Sequence, residues 1–471
     1  MDTPLKPSAR PWFFCGIGGS GMLPLAQIVQ GLGGTVAGSD RSRDQGRTPD
    51  KFAWLANHGF ALFPQDGSGV TSPDQVVVAS AAVEDTVPEI VRARALGCDR
   101  MTRAELNSAL FNAAPASVAI AGTSGKSTVT AMLGWIFHSA GRAPTIMNGA
   151  VMKNFASAEN PFASAHVGGS ELYVSEVDES DGSIALYRPT VGVLLNVSLD
   201  HKSMDELRLL FADFLRASAT CAVNLDDPEV KALAQGLGAI TFGVSDPSAR
   251  ISVEPGSADY GMSGLSAVVT DGSDGSADRL SLAMPGRHNL ANALAAIAGA
   301  AAAGVAPSEA VAALSSFRGL ARRFDVIGTS PGGITVIDDF GHNPEKCAAT
   351  LRTLKQHSGR VIAFFQPHGY GPLRQMGREL ADTFARELGP DDVTIICDPV
   401  YFGGTVDRSG GSQDVVAAIS AADRSAEYIA ERAAVADRIA AIARDGDRIA
   451  IMGARDDTLT EFARNLLARL R

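Results

Sequence analysis

The sequence predicts an α/β fold in three domains: an N-terminal Rossmann-like domain, a central P-loop ATPase-type α/β domain with a β excursion, and a C-terminal Rossmann-like α/β domain. Three observations carry this. Strand patterns and helix patterns alternate along nearly the whole chain. A glycine turn joins a strand pattern to a helix pattern twice, at residues 16–21 and 122–127. The loops richest in Asp, His and Asn follow strand patterns, where open α/β sheets place their ligands. The expected boundaries are 1–113, 114–320 and 321–471.

The first domain opens on a strand pattern at 10–15 and the turn Gly16-Ile17-Gly18-Gly19-Ser20-Gly21. An apolar helix follows at 22–32, then a strand at 35–38 ending at Ser39-Asp40. A G-x-G-x-x-G with an acid about twenty residues on is the dinucleotide-type fingerprint. The same glycines would serve an ordinary βαβ turn, so the second phosphate loop is what favours a nucleotide. Further patterns run through 75–80, Pro88–Leu96 and 104–111, and 113–115 reads as a hinge.

The central domain starts with an apolar run at 117–121, then Gly122-Thr123-Ser124-Gly125-Lys126-Ser127-Thr128 and a helical pattern at 131–140. Amides at a helix start face an anion, and the macrodipole favours its charge. Lys126 adds a point charge for outer phosphates, and the Ser127 hydroxyl can reach a bound Mg²⁺. The spacing is G-x-x-G-K-S, with Ile120 where the usual loop has its first glycine. A strand pattern at 171–177 ends in Glu176-Val177-Asp178-Glu179-Ser180-Asp181, and another at 191–197 leads to Asp200-His201. A carboxylate and an imidazole at neighbouring strand ends can bind Mg²⁺ or align water on it. A solvated acidic loop and a core histidine are the plainer alternatives.

A helix at 205–217 and a strand at 221–224 come next, and the Gly-, Ser- and Asp-rich stretch 246–286 reads as the β excursion. Gly286-Arg287-His288-Asn289 then opens an alanine-rich helix, with Asn292 one turn on. That spacing puts both amides on one face. Capping explains Asn289 alone, whereas a paired face can read a purine. The third domain begins near Leu320-Ala321-Arg322-Arg323. Strands at 334–338, Val361–Gln366, 393–398 and 448–452 alternate with helices at 344–356, 373–388, 431–443 and 457–470. Two loops at strand ends are site candidates: Asp338-Asp339-Phe340-Gly341-His342-Asn343-Pro344 and Phe365-Gln366-Pro367-His368-Gly369-Tyr370.

Composition narrows the function. A formal charge of −11 argues against a general nucleic-acid surface, so anionic ligands must be held by loops and a few cations. The five cysteines have no C-x-x-C spacing, which fits a reducing cytoplasm and neither zinc nor disulfides. Residues 1–11 lack the apolar core of a signal peptide, and no apolar run is long enough to span a membrane. Small-molecule substrates are expected, with no nucleic-acid or membrane partner, in a monomer or homodimer.

Together these stretches resemble the Mur ligases, ATP-dependent amino-acid ligases of peptidoglycan synthesis, and most closely their L-alanine-adding branch. Besides the motifs above, the resemblance takes in Ser80-Ala81, Arg103-Ala104-Glu105, Asn224-Leu225-Asp226-Asp227-Pro228 and Arg322-Arg323-Phe324-Asp325. It implies ATP and Mg²⁺ on the phosphate loop and a UDP-sugar carboxylate on the first domain. Gly18, Gly19 and Ser20 would lie near the diphosphate, with Asp40 and Ser80 on the same substrate side. Lys126 and Ser127 would hold the ATP and Mg²⁺, and Glu176 and His201 match the family's second metal position. His288, Asn289 and Asn292 match adenine-side contacts, and Arg323 and Asp339 contacts from the third domain. Lys126, Glu176, His201, Arg323 and His342 are the residues expected at the reaction. The implied chemistry is an acyl phosphate made from the carboxylate and ATP, then attacked by an amine, with the third domain as lid.

Departures from the family pattern concern the acceptor side. Other branches carry a carbamoylated lysine where this chain has Arg216; the L-alanine branch lacks it too. F-Q-P-H-R-Y-T-R has Gly369 and Pro372 in place of its arginines. Y-x-A-G-E reads Tyr401-Phe402-Gly403-Gly404-Thr405, G-T-H-G-K has Ser124 for histidine, and D-D-Y-G-H-H-P has Phe340 and Asn343. His368 stays in the acceptor loop, and Arg374 or Arg455 is expected to take over the acceptor carboxylate, with an acceptor other than L-alanine. Alternatives are a Mur-type ligase with another donor, a non-catalytic nucleotide-binding regulator, and an NAD-dependent oxidoreductase built on residues 16–40.

Overall fold

A computed structural model describes residues 6–80, 83–199, 202–400, 411–454 and 456–470. The chain divides into two compact units. The first takes Met1–Asp259, Leu265–Ala283 and Asn289–Gly319; the second takes Tyr260–Gly264, Met284–His288 and Leu320–Arg471.

The first unit holds two sheets. The N-terminal one has five parallel strands, in the order Ala61–Phe63, Thr35–Ser39, Pro11–Cys15, Val76–Ala79, Asp99–Thr102. Its central strand is apolar on both faces. Trp12 and Phe14 join the large core on one side, and Phe13 and Cys15 a smaller core on the other. Helices must therefore cover both faces, as parallel sheets require.

The second sheet has eleven strands. At its centre Ala116–Ala121 lies between Leu172–Glu176 and Val191–Leu194, all parallel. The loops that leave these three strands thus emerge at one edge. The excursion is antiparallel: Ile251–Val253, Leu265–Asp271 and Ser276–Leu282 pair in that order. The helix expected over 131–140 begins earlier, spanning Lys126–Ser139. The strand expected to reach 197 stops at Leu194.

The hinge expected at 113–115 lies inside this first unit. The helix Arg103–Ala113, started by a Thr102/Glu105 capping box, packs on the central sheet. Its wholly buried Phe111 meets the rings of Tyr173 at 5.8 Å and Tyr187 at 5.2 Å. Asn107 Nδ2 donates to Ser175 Oγ (3.0 Å) and the Tyr187 hydroxyl (2.8 Å), and the Tyr173 hydroxyl donates to Asn107 Oδ1 (2.8 Å). The helix that leads into 113–115 is thus anchored on the central sheet by a buried, paired polar network.

The second unit holds six strands, in the order Asp325–Thr329, Thr335–Asp339, Arg448–Gly453, Val361–Gln366, Val393–Ile396, Ser425–Tyr428. All pairs are parallel except the first. One face buries Ile337, Ala363, Phe365, Ala450 and Met452; the other buries Val336, Ile362, Phe364, Ile449 and Ile451. The two edge strands escaped the sequence reading because they are half-exposed and mixed in polarity. No helix of the described residues is long and apolar enough to cross a membrane.

Candidate functional site

The phosphate loop is the best-defined site in the first unit. Gly125 has φ +90°, and a methyl group there would lie 2.6 Å from Asn292 Oδ1. Only glycine allows both that backbone and that approach. Asn292 therefore lies against the loop, its Nδ2 3.3 Å from Asn289 Oδ1. The helix carrying both amides starts at Arg287, so Asn289 sits inside its first turn and is not the cap residue.

Lys126 Nζ donates to Gly122 O and to Glu179 Oε2, each at 2.7 Å. Glu179 is buried. Ser127 Oγ donates to Glu176 Oε2 at 2.6 Å. Burial pushes the Asp178 carboxyl up, but Lys126, hydrogen bonds from Ser180, and Arg103 together bring it below the usual range. The loop's ammonium and hydroxyl thus face three acidic positions of the neighbouring strand end. Thr123 is buried and its hydroxyl donates to Ser198 O at 3.2 Å. Thr128 is buried in the first turn of the helix.

Two residues of this site had no sequence motif. Asn196 accepts from Ser124 N (2.8 Å) and donates back to Ser124 O (3.0 Å). Asn148 donates to Ser127 O at 2.9 Å. Each is a lone amide after a strand, and nothing local separates it from a turn residue. The Ser124 hydroxyl is buried without a hydrogen-bond partner. Asp200 and His201 lie outside the described residues. Among the described residues no three His, Cys, Asp or Glu side chains gather to hold a metal.

At the glycine turn of the first domain, Asp40 Oδ2 accepts from Gly18 N and Oδ1 from Ser42 N, both at 2.8 Å. Asp40 thus ties the turn to the helix it caps. Gly19 and Ser20 are exposed and Ser80 is half-buried. Arg216 pairs with Asp213 at 2.6 Å on an exposed helix face.

The second unit gathers its own group. Arg322 and Phe324 both have left-handed backbones, φ +59° and +46°, on either side of Arg323. For residues with side chains this conformation costs energy. Asp339 holds the turn: Oδ2 accepts from Phe324 N (2.7 Å), and Oδ1 from Gly341 N (2.7 Å) and Thr350 Oγ1 (3.0 Å). The Arg323 guanidinium lies 4.2 Å from the centre of the Phe340 ring. His342 Nδ1 is 2.9 Å from Phe340 O, and its ring meets His368 edge-on at 5.1 Å. Burial, with Lys346 nearby, pushes the His342 pKa down to about 3, so the ring is neutral. His288 is exposed at the start of its helix. Arg374 is exposed on the helix Tyr370–Glu387 that follows His368. Arg455 and the stretch 401–410 lie outside the described residues.

Three family models match the chain: the Mur ligase family catalytic domain over 13–114, the Mur ligase middle domain over 120–300, and the Mur ligase glutamate ligase domain over 322–455. The chain belongs to the Mur ligase family. It is 34% identical to a UDP-N-acetylmuramate–L-alanine ligase of Cereibacter sphaeroides, over 99% of this chain and 98% of that one. A ligase of the same name from Paracoccus denitrificans matches at 34% with the same coverage. Among solved structures, the UDP-N-acetylmuramate–alanine ligase of Thermotoga maritima superposes with a TM-score of 0.79 at 24% identity, covering 98% of this chain and 99% of that one. A murein peptide ligase of Psychrobacter arcticus superposes at 0.71 with 24% identity, covering 98% of each. These two show the shared fold.

Proposed function

We propose that this Mur ligase joins L-alanine to the carboxylate of UDP-N-acetylmuramate at the expense of ATP. The carrying observation is the phosphate loop with Lys126 and Ser127 set against Glu176 and Glu179, in a chain that aligns end to end with ligases of that name. The donor carboxylate oxygen attacks the γ-phosphorus, forming an acyl phosphate as ADP leaves. The amine then attacks the acyl carbon and phosphate departs, leaving the amide. Both steps develop negative charge, which Lys126 is placed to offset.

The loop suits a nucleotide, since the buried, unpartnered Ser124 hydroxyl is a donor waiting for an acceptor. Ser127 Oγ and Glu176 are oxygen ligands of the kind a hard divalent cation takes, and the resemblance adds His201, which lies outside the described residues. When bound, Mg²⁺ would supply charge neutralisation to the transferring phosphoryl group. Residues 1–113 would hold the UDP-sugar on Gly18, Gly19, Ser20, Asp40 and Ser80; 114–320 the ATP; 321–471 the acceptor. Asn289 and Asn292 would face the nucleotide. Asp339, with both oxygens already accepting, would act by holding the turn that presents Arg323. His342 and His368 would line the acceptor side. The five thiols, none in a disulfide, support a reducing cytoplasm.

The sequence favoured a different acceptor; the full-length relatives favour L-alanine. Gly369 and Pro372 supply no charge, so Arg374 or Arg455 would pair the acceptor carboxylate. The test is ATP-dependent phosphate release with UDP-N-acetylmuramate against a panel of amino acids. Turnover with L-alanine that slows in Arg374→Ala or Arg455→Ala is the expected result. No phosphate release with any amino acid would leave the nucleotide-binding regulator as the better reading.

A further inference from the structure

We propose that Arg432 is a positioning residue for the acceptor amino acid, and that it fixes the loop 367–369 through Gln366 and Asp456. The inference deepens the reading above and rests on it. Gln366 ends the strand Val361–Gln366 and is 2% exposed. His368 lies two residues on, in the loop placed on the acceptor side. The two positions where an arginine could brace that loop from within, 369 and 372, are glycine and proline. Gly369 has φ +147°, a backbone that favours glycine.

The bracing comes from outside the loop. Arg432 opens the helix Arg432–Ile442 and spreads its guanidinium over three residues. Nη1 donates to Asp456 Oδ2 at 2.7 Å and to Gln366 Oε1 at 3.3 Å, and Nη2 donates to Thr458 Oγ1 at 2.8 Å. Gln366 Nε2 donates to Asp456 Oδ2 at 2.9 Å, so both ends of the Gln366 amide are engaged. Thr458 N and Oγ1 donate to Asp456 Oδ1 at 3.0 and 2.6 Å. Burial raises the Asp456 carboxyl, but the bonds from Thr458 and Gln366, with the Arg432 charge, bring it below the usual range. The backbones close on each other at the same place. Gln366 pairs with Gly453, where a methyl group would lie 2.8 Å from Gln366 O. Val400 N donates to Pro367 O at 2.9 Å. A planar fork suits this position, because a lysine could reach Asp456 but not bond Gln366 and Thr458 at once. Arg432 therefore sets the start of the loop, and through it the place of His368, whose ring meets His342 at 5.1 Å.

The experiment uses the full-length protein as wild type, Arg432→Met and Asp456→Asn. Methionine keeps the apolar stem and removes the fork; asparagine keeps the shape and removes the charge. Steady-state phosphate release with UDP-N-acetylmuramate, ATP and L-alanine gives KM for each substrate. Each variant should raise KM for L-alanine roughly tenfold, the size of a lost hydrogen bond to a charged group, and leave KM for ATP as in wild type. The double variant should do no worse than the worse single one, because the two side chains act as a unit. Hydrogen exchange read by mass spectrometry needs no substrate: amides of 368–373 should exchange faster in both variants, and those of 361–365 at the wild-type rate. If Arg432→Met does not fold, Asp456→Asn carries both measurements. An unchanged KM for L-alanine would overturn the proposal, whatever the exchange. Parallel changes in every KM, with faster exchange throughout the second unit, would overturn it too and leave a purely structural network. A wild type that releases no phosphate with any amino acid refutes the reaction itself and the proposal with it, a result distinct from an active wild type whose variants keep their KM.

Discussion

Single residues decide the chemistry here. Lys126 is held by a backbone carbonyl and a buried carboxylate, and so points its charge at the loop before any nucleotide arrives. Lys126→Ala should lower kcat by about two to three orders of magnitude, as for other lost transition-state contacts, in steady-state phosphate release by a variant of unchanged Tm. His342 makes a different prediction. Its folded pKa of about 3 is below the ordinary value of 6.5. The stability it contributes is complete above pH 6.5. It is lost as pH falls toward 3, because the unfolded chain takes up a proton that the folded ring refuses. The slope is at most about 1.4 kcal/mol per pH unit. Unfolding curves between pH 7 and 4.5 should therefore be steeper in pH for wild type than for His342→Gln.

At the scale of elements, the helix Arg103–Ala113 is one of those that tie the first two sheets into one unit. Its Asn107 meets two tyrosine hydroxyls and a serine in a buried network. Asn107→Leu keeps the volume and removes every partner. Orphaned buried groups cost about 1–3 kcal/mol each, so denaturant unfolding of the first unit should shift by at least that much. Gly125→Ala would combine a disfavoured φ with a clash against Asn292. ATP affinity should fall about tenfold or more, read by nucleotide titration, with a smaller change in stability.

At the scale of the whole molecule, each unit has its own buried core. Phe364 is fully buried on one face of the second unit's sheet. Phe364→Ala should remove about 3–5 kcal/mol from that unit. Scanning calorimetry should show one transition moved to lower temperature and the transition of the first unit in place.

Local signals were enough for the α/β class, the phosphate loop and the strand-end carboxylates. Period, glycine placement and strand-to-helix order are properties of neighbouring residues, and they read directly from the chain. Asn148, Asn196 and the pairing of Lys126 with Glu179 were not legible. Each depends on which strands lie side by side, and the chain order of Ala116–Ala121, Leu172–Glu176 and Val191–Leu194 does not state that the first sits between the other two. The left-handed backbones around Arg323 were hidden for the same reason, since the partners of this turn come from a later strand: Asp339 accepts from Phe324 N, and Phe340 N donates to Arg322 O. The expected hinge at 113–115 had the right composition, Ala113-Ala114-Pro115. The packing of Phe111 and Asn107, just before it, against a sheet some sixty residues further on was not legible, because burial and hydrogen-bond satisfaction are settled by tertiary neighbours.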